Sequence, residues 1–398
     1  MSALNDRIPV TILTGFLGAG KSTLLNRILK DPVMKDAAVI INEFGDVGID
    51  HLLVESSGDS IIELADGCLC CTVRGELVDT LANLMDAVQT GRVKPVKRVV
   101  IETTGLADPA PVMQAIMGNP VIATNFELDG VVTVVDAVNG LQTLDNHEEA
   151  RKQAAVADRL IVSKKAMAAA TDGLEKRLRA LNPRATMMDA DSTEAGSAAV
   201  LVNGIYDPAT KIADVGRWLQ DEDAHEAHHN HDHGRDGDDD HHHDGDHHGH
   251  HHRDHHNHDG DHAHQDPHDV NRHDASIRSF SIIEEKPIDP MALDMFIDLL
   301  RSAHGEKLLR MKAIVSVSDR PDRPLVLHGV QSIFHPPVRL AAWPDPSDRR
   351  TRMVLITKDL PEAFVKDLFD AFLGKPRIDM PDRAALSDNP LAIPGMRI

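Results

Sequence analysis

The sequence predicts an α/β domain with a mainly parallel sheet, followed by a disordered linker and then a smaller α+β domain. Two observations support this fold class. Short runs of Val and Ile alternate with helical patterns over about the first 215 residues, which is typical of a parallel sheet covered by helices on both faces. A tract rich in His and Asp then interrupts the apolar pattern, and further strand and helix patterns follow it.

The first domain is predicted over residues 1–215. Continuous aliphatic runs predict buried strands at 10–13, 38–42, 99–101, 131–135 and 160–162. A helix is predicted directly after the first strand, over 22–29. Apolar residues at three- and four-residue spacing predict a second helix over 76–88.

The linker is predicted over residues 221–274. It holds 20 of the 25 histidines, and its 15 Asp, 2 Glu and 3 Arg give it −14 of the chain's formal charge of −21. Because the tract offers almost no apolar surface to offset the entropy of ordering it, we expect it to be disordered. Neutral imidazoles bind Zn²⁺, Ni²⁺, Co²⁺ or Cu²⁺, so we interpret it as a metal-collecting segment. The alternative is a solvated spacer without a metal role.

The second domain is predicted over residues 277–376, and residues 377–398 are a tail. Strands are predicted at 277–285, 307–317, 324–330 and 352–357. Helices are predicted over 290–302 and 362–373. These elements favour an α+β domain with an antiparallel sheet. Its sequence contains no catalytic constellation, so we interpret it as a recognition or regulatory module, with His328 and His335 as structural residues rather than metal ligands.

Composition excludes several classes of protein. The first 20 residues lack a basic segment followed by an apolar run, and no stretch reaches the length of about 18 apolar residues that a membrane span needs. Three cysteines, an odd number, argue against a secreted disulfide framework. The negative charge argues against nucleic acid or an anionic membrane as the main partner. We therefore expect a cytoplasmic protein.

The strongest motif follows the first predicted strand. GFLGAGKS, residues 15–22, matches the pattern G-x-x-x-x-G-K-[ST] in full. In this pattern glycines let backbone amides surround phosphate oxygens, the lysine reaches the β- and γ-phosphates, and the hydroxyl binds Mg²⁺. The predicted nucleotide-binding residues are Gly15, Gly18, Ala19, Gly20, Lys21, Ser22 and Thr23. The alternative is a glycine-rich turn that binds no nucleotide.

Five motifs occur in a fixed order along the first domain. They are GFLGAGKST (15–23), NEFGDVGID (42–50), GCLCC (67–71), ETTG (102–105) and VVTVVDA (131–137). In this order they resemble the CobW family of P-loop GTPases, relatives of the GTPases that insert nickel into urease and hydrogenase. The resemblance covers about residues 8–190, and the His-rich tract and the second domain also resemble that family's arrangement.

The resemblance implies roles for three carboxylates. Glu102 would hold Mg²⁺ at the end of its strand and sense the γ-phosphate, so Lys21 and Glu102 are the predicted catalytic residues. Residues 42–50 would form the first switch, in which Glu43 is a candidate ligand for a transition metal and Asp50 for Mg²⁺. The alternative for each side chain is a solvated acidic residue without a ligand.

The segment that reads the base departs from the family pattern. Guanine is usually bound by N-K-x-D, whose Asp accepts two hydrogen bonds from the base, but residues 163–166 are Ser, Lys, Lys and Ala. Lys164 can still lie against a purine, whereas Ala166 has no acceptor. The sequence therefore predicts triphosphate binding with a weak preference for GTP over ATP.

All three cysteines, Cys68, Cys70 and Cys71, lie within GCLCC. Thiolates favour Zn²⁺, Co²⁺ or Cu⁺ over Mg²⁺ or Ca²⁺. Because a closed structural zinc site needs four ligands, three thiols leave a position open, which suits metal transfer better than structural support. A redox-active thiol pair and buried inert cysteines are the alternatives.

Together these features predict a GTP-dependent metal chaperone. It would hydrolyse GTP with Mg²⁺ and transfer a transition metal, Zn²⁺ before Co²⁺, to a client metalloprotein. Its intrinsic turnover would be slow, since the sequence offers no evident catalytic Gln or Arg finger. No nucleic acid or membrane partner is expected, and the oligomeric state is open. The alternatives are cobalt delivery for cobalamin synthesis and a non-catalytic zinc reservoir.

Overall fold

The first unit of the chain is a parallel sheet. The computed structural model describes residues 7–41, 61–63, 73–202 and 276–375. In these ranges the strands of the first unit are β1 (Ile8–Gly15), β2 (Ala37–Ile41), β3 (Ile61–Glu63), β4 (Arg98–Glu102), β5 (Phe126–Asp136), β6 (Arg159–Ser163) and β7 (Thr186–Asp189). They pair in the order β3-β2-β4-β1-β5-β6-β7, and each pair is parallel. The predicted α/β architecture is confirmed.

Helices connect these strands. Within the described ranges they are α1 (Lys21–Ile28), α2 (Val73–Gln89), α3 (Ala110–Gly118), α4 (Pro120–Asn125), α5 (Gly140–Asn146), α6 (Glu148–Ala155) and α7 (Asp172–Leu181). The predicted helix over 76–88 lies inside α2, which begins three residues earlier. No helix of the described ranges combines the length and the hydrophobicity that a bilayer span requires.

The sheet is buried on both faces, which explains its continuous aliphatic strands. Ile12 of β1 belongs to the same buried cluster as Leu81 of α2. The next residue, Leu13, belongs to a second cluster with Leu25 of α1. Because successive side chains of a strand point to opposite faces, a strand covered on both sides is apolar at most of its positions.

The second unit is an antiparallel sheet with helices. Its described elements are β8 (Ile277–Glu284), α8 (Pro290–His304), β9 (Leu308–Val315), β10 (Leu325–Val330), β11 (Ile333–Phe334), β12 (Val338–Arg339), β13 (Thr351–Lys358) and α9 (Glu362–Phe372). The strand order is β11-β10-β9-β13-β8, with β12 beside β10, and all these pairs are antiparallel. This confirms the predicted antiparallel α+β unit. The linker predicted over 221–274 and the tail over 377–398 lie outside the described residues.

The start of α8 is determined locally. The carboxylate of Asp289 accepts hydrogen bonds from the backbone N–H groups of Met291 (2.9 Å) and Ala292 (3.1 Å). Pro290 occupies the first helical position, where its missing N–H is not needed. This capping pattern explains why the helix begins where the sequence predicts.

A buried ion-pair cluster joins the two units. Asp158, just before β6, pairs with Arg310 of β9 at 2.8 Å and also contacts Lys312. Burial alone would raise the pKa of Asp158, but the two cations outweigh it and the pKa is lowered. Beside this cluster His328 is buried, and burial followed by the same two cations holds its pKa well below the usual value. This cluster therefore contributes to the packing of the second sheet on the first unit, together with apolar residues such as Leu309 and Val330.

The carboxyl ends of the parallel strands meet at one edge of the sheet. In the pairing register, Ile41 of β2 is opposite both Glu63 of β3 and Glu102 of β4. Farther along the same edge, Asp136 of β5 is opposite Ser163 of β6. Ligands of open parallel sheets bind outside such an edge, so the functional residues are sought there.

Candidate nucleotide-binding site

The turn between β1 and α1 has the backbone of a phosphate-binding loop. Gly15, Gly18 and Gly20 have φ values of 143°, 71° and 96°, conformations that favour glycine. At Gly15 a side chain is also excluded by space, because a Cβ atom would lie 2.3 Å from the carbonyl oxygen of Val134. These positions let successive N–H groups form a concave anion site ahead of a helix N-terminus.

The side chain of Lys21 lies across the inside of this loop. It is the first residue of α1, and its Nζ donates to the carbonyl oxygens of Gly15 (3.0 Å) and Phe16 (3.4 Å). The side chain is only 9% exposed. A cation held across a loop of backbone amides is the arrangement that binds phosphate oxygens.

Two oxygen ligands meet beside the loop. The hydroxyl of Ser22 donates to Oε1 of Glu102 at 2.9 Å, although the two residues lie 80 positions apart. Glu102 ends β4 and is 3% exposed. A hydroxyl that donates to a carboxylate keeps its own lone pairs available, and hard divalent cations prefer such oxygen atoms. The residues present therefore fit a Mg²⁺ ion.

Ser163 and Lys164 begin the segment predicted to contact the base, called the base end below, and both contact the phosphate loop. The hydroxyl of Ser163 donates to the carbonyl oxygen of Ala19 at 2.6 Å. Lys164 has a left-handed backbone with φ of 58°, and its Nζ donates to the carbonyl oxygen of Gly18 and to Oδ2 of Asp136, both at 2.8 Å. Lys164 thus connects β5, β6 and the phosphate loop.

Asp136 is a site residue to which the sequence analysis gave no role. Its carboxylate also accepts from the N–H of Val138 (2.8 Å) and from the side-chain amide of Asn139 (3.1 Å). Burial acts to raise the pKa of Asp136, but the bonds from Lys164, Val138 and Asn139 outweigh it and lower the pKa. The only sequence signal was its position at the end of the motif VVTVVDA.

In the N-K-x-D pattern an Asp binds guanine, and the corresponding position here is an exposed alanine. Ala166 lies in a short 3₁₀ turn, Lys165–Met167, and has no acceptor in its side chain. Its neighbour Lys165 pairs with Glu175 of α7 at 2.7 Å. This segment therefore has the cations Lys164 and Lys165 but no side-chain acceptor at position 166, where the N-K-x-D pattern has its Asp.

The remaining predicted site residues divide into two groups. Thr23 lies in the first turn of α1 with its side chain exposed. The five candidate metal ligands of the loops lie outside the described residues; they are Glu43, Asp50, Cys68, Cys70 and Cys71. Within residues 7–41, 61–63, 73–202 and 276–375, no three His, Cys, Asp or Glu side chains are grouped to hold a metal ion.

Two family models match the chain. Residues 9–189 match the model described as CobW/HypB/UreG, nucleotide-binding domain. Residues 277–373 match the model described as cobalamin synthesis protein cobW C-terminal domain. The two matches follow one another in the order that the sequence predicts.

Curated relatives extend the comparison. The zinc chaperone YjiA of Escherichia coli is 41% identical over 178 residues, which are 45% of this chain and 56% of that protein. The zinc chaperone CobW of a Sinorhizobium species is 32% identical over 265 residues, which are 58% of this chain and 72% of that protein. The alignment therefore spans little more than half the length of the first relative.

A solved structure has the same fold. The crystal structure of Zn(II)-bound YjiA GTPase from E. coli superposes with a TM-score of 0.60 and 24% identity. The alignment covers 92% of this chain and 99% of that one. At this identity the similarity supports the fold of both units.

Proposed function

The chain belongs to the CobW/HypB/UreG family of P-loop proteins, and from that premise we propose that it is a GTP-dependent metal chaperone. It binds and hydrolyses a purine nucleoside triphosphate with Mg²⁺ and transfers a transition metal, zinc first, to a client metalloprotein. Two relatives are named zinc chaperones and another, from Schizosaccharomyces pombe, a zinc-regulated GTPase metalloprotein activator, which supports zinc before cobalt.

The proposal rests on the hydrogen bond between Ser22 and Glu102. The 2.9 Å contact brings a helix N-terminal hydroxyl to a carboxylate that is nearly buried at the end of β4. The negative charge of this buried carboxylate, next to a hydroxyl oxygen, suits a hard divalent cation. Ser22 and Glu102 would hold a divalent cation here, and the cation would supply positive charge to the phosphate groups of the nucleotide.

The chain's own residues supply the rest of the phosphate chemistry. Lys21, already held across the loop, stabilises the negative charge that develops on the transferred phosphoryl group. The glycine backbone supplies N–H donors in fixed positions, so little reorganisation accompanies the reaction. Glu102 accepts a hydrogen bond from the Ser22 hydroxyl and so fixes the orientation of this hydroxyl.

The way in which the chain leaves β2 and β3 supports a coupling between nucleotide state and metal binding. The strand ends at Ile41 and Glu63 are in register with Glu102, so the segments 42–60 and 64–72 both begin beside the phosphate site. Only nine residues separate Glu63 from Val73, the first residue of α2. In the sequence, Cys68 follows Glu63 by five residues and Cys71 precedes Val73 by two. A metal bound by Cys68, Cys70, Cys71 and Glu43 could therefore respond to the nucleotide.

The test of the proposed function is phosphate release from GTP with Mg²⁺. Glu102→Gln keeps the shape of the side chain and removes its charge, and we expect release to fall about 100-fold with GDP affinity within about threefold. The matched control is Glu194→Gln on an exposed carboxylate, with no change expected. Equal rates in Glu102→Gln and the unmodified chain would contradict the proposed role, and no release by the unmodified chain would favour a reservoir.

A further inference from the structure

Helix α6 presents one buried side chain to the loop that follows Glu102. Gln153 is 0% exposed, and its Nε2 donates to the carbonyl oxygens of Gly105 (3.2 Å) and Ala107 (2.9 Å). Because only the amide nitrogen can donate, two acceptors at these distances fix which end of the amide faces the loop. One side chain thus binds two carbonyl groups of the same loop.

The loop held by Gln153 lies against the phosphate loop. At Gly105 a Cβ atom would lie only 2.5 Å from the backbone nitrogen of Leu17, so the two backbones are in direct contact. The start of the loop is fixed separately, because the Thr103 hydroxyl donates to that of Thr14 at 2.8 Å. The stretch from Thr103 to Ala107 is therefore held at one end by β1 and at the other by Gln153.

Two buried polar atoms at this place have unused hydrogen-bonding capacity. In the part of the chain that the structure describes, neither the Thr104 hydroxyl nor Oε1 of Gln153 has a hydrogen-bond partner. An unsatisfied buried polar atom is costly and rare in a folded protein. The Thr104 hydroxyl is thus a buried donor next to the phosphate loop. It indicates that the loop after Glu102 contacts a ligand, and Gln153 supports this loop.

Helix α6 is itself anchored on both sides of Gln153. The hydroxyl of Thr133 in β5 donates to the carbonyl oxygen of Gln153 at 2.8 Å. The preceding residue, Lys152, pairs with Asp108 at 3.1 Å, just beyond the loop. The amide of Gln153 therefore extends from a fixed backbone, which is what a side chain needs if it is to determine the position of a loop.

We propose that Gln153 is a positioning residue for nucleotide hydrolysis. It holds residues 103–107 against the phosphate loop, so that the triphosphate and diphosphate states are distinguished there. The reason is that a ligand shifts a loop only by its differential contacts, and the γ-phosphate is the one group by which the two nucleotides differ. This inference rests on the function proposed above, because it assigns a role within that site.

The test compares Gln153→Met with Thr133→Val. Methionine keeps the length and volume of the side chain and removes the donor, whereas valine removes the other buried hydrogen bond of residue 153 and leaves the amide in place. Gln153→Asn is a milder second variant, because it keeps the donor but withdraws it by one methylene. Melting temperatures establish that each variant folds.

Two measurements are made on each variant. The first is hydrogen exchange of the amides of residues 103–108 without nucleotide, and we expect it to be about tenfold faster in Gln153→Met and unchanged in Thr133→Val. The second is the affinity ratio of a non-hydrolysable GTP analogue to GDP with Mg²⁺, which we expect to fall about tenfold. We also expect kcat to fall by a similar factor with little change in KM.

The outcomes separate this inference from the proposed function. Unchanged exchange in both Gln153 variants would overturn the positioning role whether or not the chain hydrolyses GTP. An equal loss of the affinity ratio in Thr133→Val would also overturn it, since it would assign the effect to the helix rather than the amide. If the unmodified chain bound both nucleotides equally, the proposed function would fail, while the exchange comparison would still decide whether Gln153 positions the loop.

Discussion

The two ends of the nucleotide site are built in different ways. At the phosphate end, Lys21 and Ser22 come from one turn and need only Glu102 from a neighbouring strand. At the base end, Asp136 is the last residue of β5 and Lys164 follows directly after β6, and they meet across 28 positions of sequence. The phosphate end has the full set of groups that its motif requires, whereas the base end has lost the acceptor for guanine at Ala166.

This difference separates affinity from specificity. The phosphate end offers a fixed loop, a buried cation and a hydroxyl paired with a carboxylate, and such groups would act on any nucleoside triphosphate. The segment predicted to contact the base carries two lysines, each of which is already paired with a carboxylate. We therefore expect mutations at the phosphate end to abolish binding, and mutations at the base end to change which nucleotide is preferred.

The largest effect is expected at Lys21. Lys21→Ala removes the cation that crosses the loop, and we expect triphosphate affinity to fall about 1,000-fold, measured by calorimetry. Lys176→Ala, an exposed lysine of α7, makes the same change of charge and is the control. Similar losses in the two variants would mean that general electrostatics, rather than the loop, binds the phosphates.

Ala166→Asp should have the next largest effect. It restores the carboxylate that pairs with guanine, and one charge-assisted hydrogen bond of about 1.5–3 kcal/mol corresponds to a gain of about tenfold or more. We expect the ratio of GTP to ATP affinity to rise by that factor, with ATP affinity unchanged. Ala170→Asp, at an exposed position, controls for added charge. If the unmodified chain already prefers GTP several thousandfold, another residue reads the base.

Asp136→Asn is expected to have a smaller effect. It removes the anion that holds Lys164 beside Gly18, so we expect affinity for GTP and ATP to fall equally, by about fivefold. Asp145→Asn, which weakens a surface pair with Arg177, is the control. A loss confined to GTP would instead assign Asp136 to base recognition.

The lowered pKa of Asp136 adds a pH test of the same pair. The carboxylate is charged above its folded pKa, so its contribution is lost only as pH falls through a value below the usual 3.8. We expect the effect of Asp136→Asn to be constant between pH 5 and 8. A contribution that fades within this range would mean that the pair with Lys164 does not hold the carboxylate ionised.

The elements and motifs that were predicted correctly are those whose residues are contiguous in the sequence. The phosphate loop was found because its glycines, Lys21 and Ser22 are contiguous, and the strands of both units because their aliphatic runs are long. Strands β3, β11 and β12 were missed because each has only two or three residues. Strand β7 was also missed, since TMMD is four residues long and half-buried, which gives neither a continuous apolar run nor alternation. Its pairing with β6, rather than its own residues, makes it a strand.

Two site residues could not be found from local pattern. Asp136 meets Lys164 only because β5 and β6 are in register at Asp136 and Ser163. Gln153 lies in the helix sequence EEARKQAA, where a glutamine would ordinarily be a solvated residue. Its burial follows from the packing of α6 between the loop after Glu102 and β5, which no periodicity encodes.

The central claim is that nucleotide state controls metal binding, and a competitive Zn²⁺ titration tests it most directly. It uses protein without residues 221–274, so that the histidines there do not compete, with Mg²⁺ and either GDP or a non-hydrolysable GTP analogue. We predict Zn²⁺ affinities that differ at least about 100-fold, or about 2.7 kcal/mol, because states that bind metal equally cannot drive its transfer. Cys70→Ser and Cys71→Ser should remove this difference while triphosphate binding at Lys21 persists. Identical Zn²⁺ affinities in the two nucleotide states would contradict the chaperone mechanism.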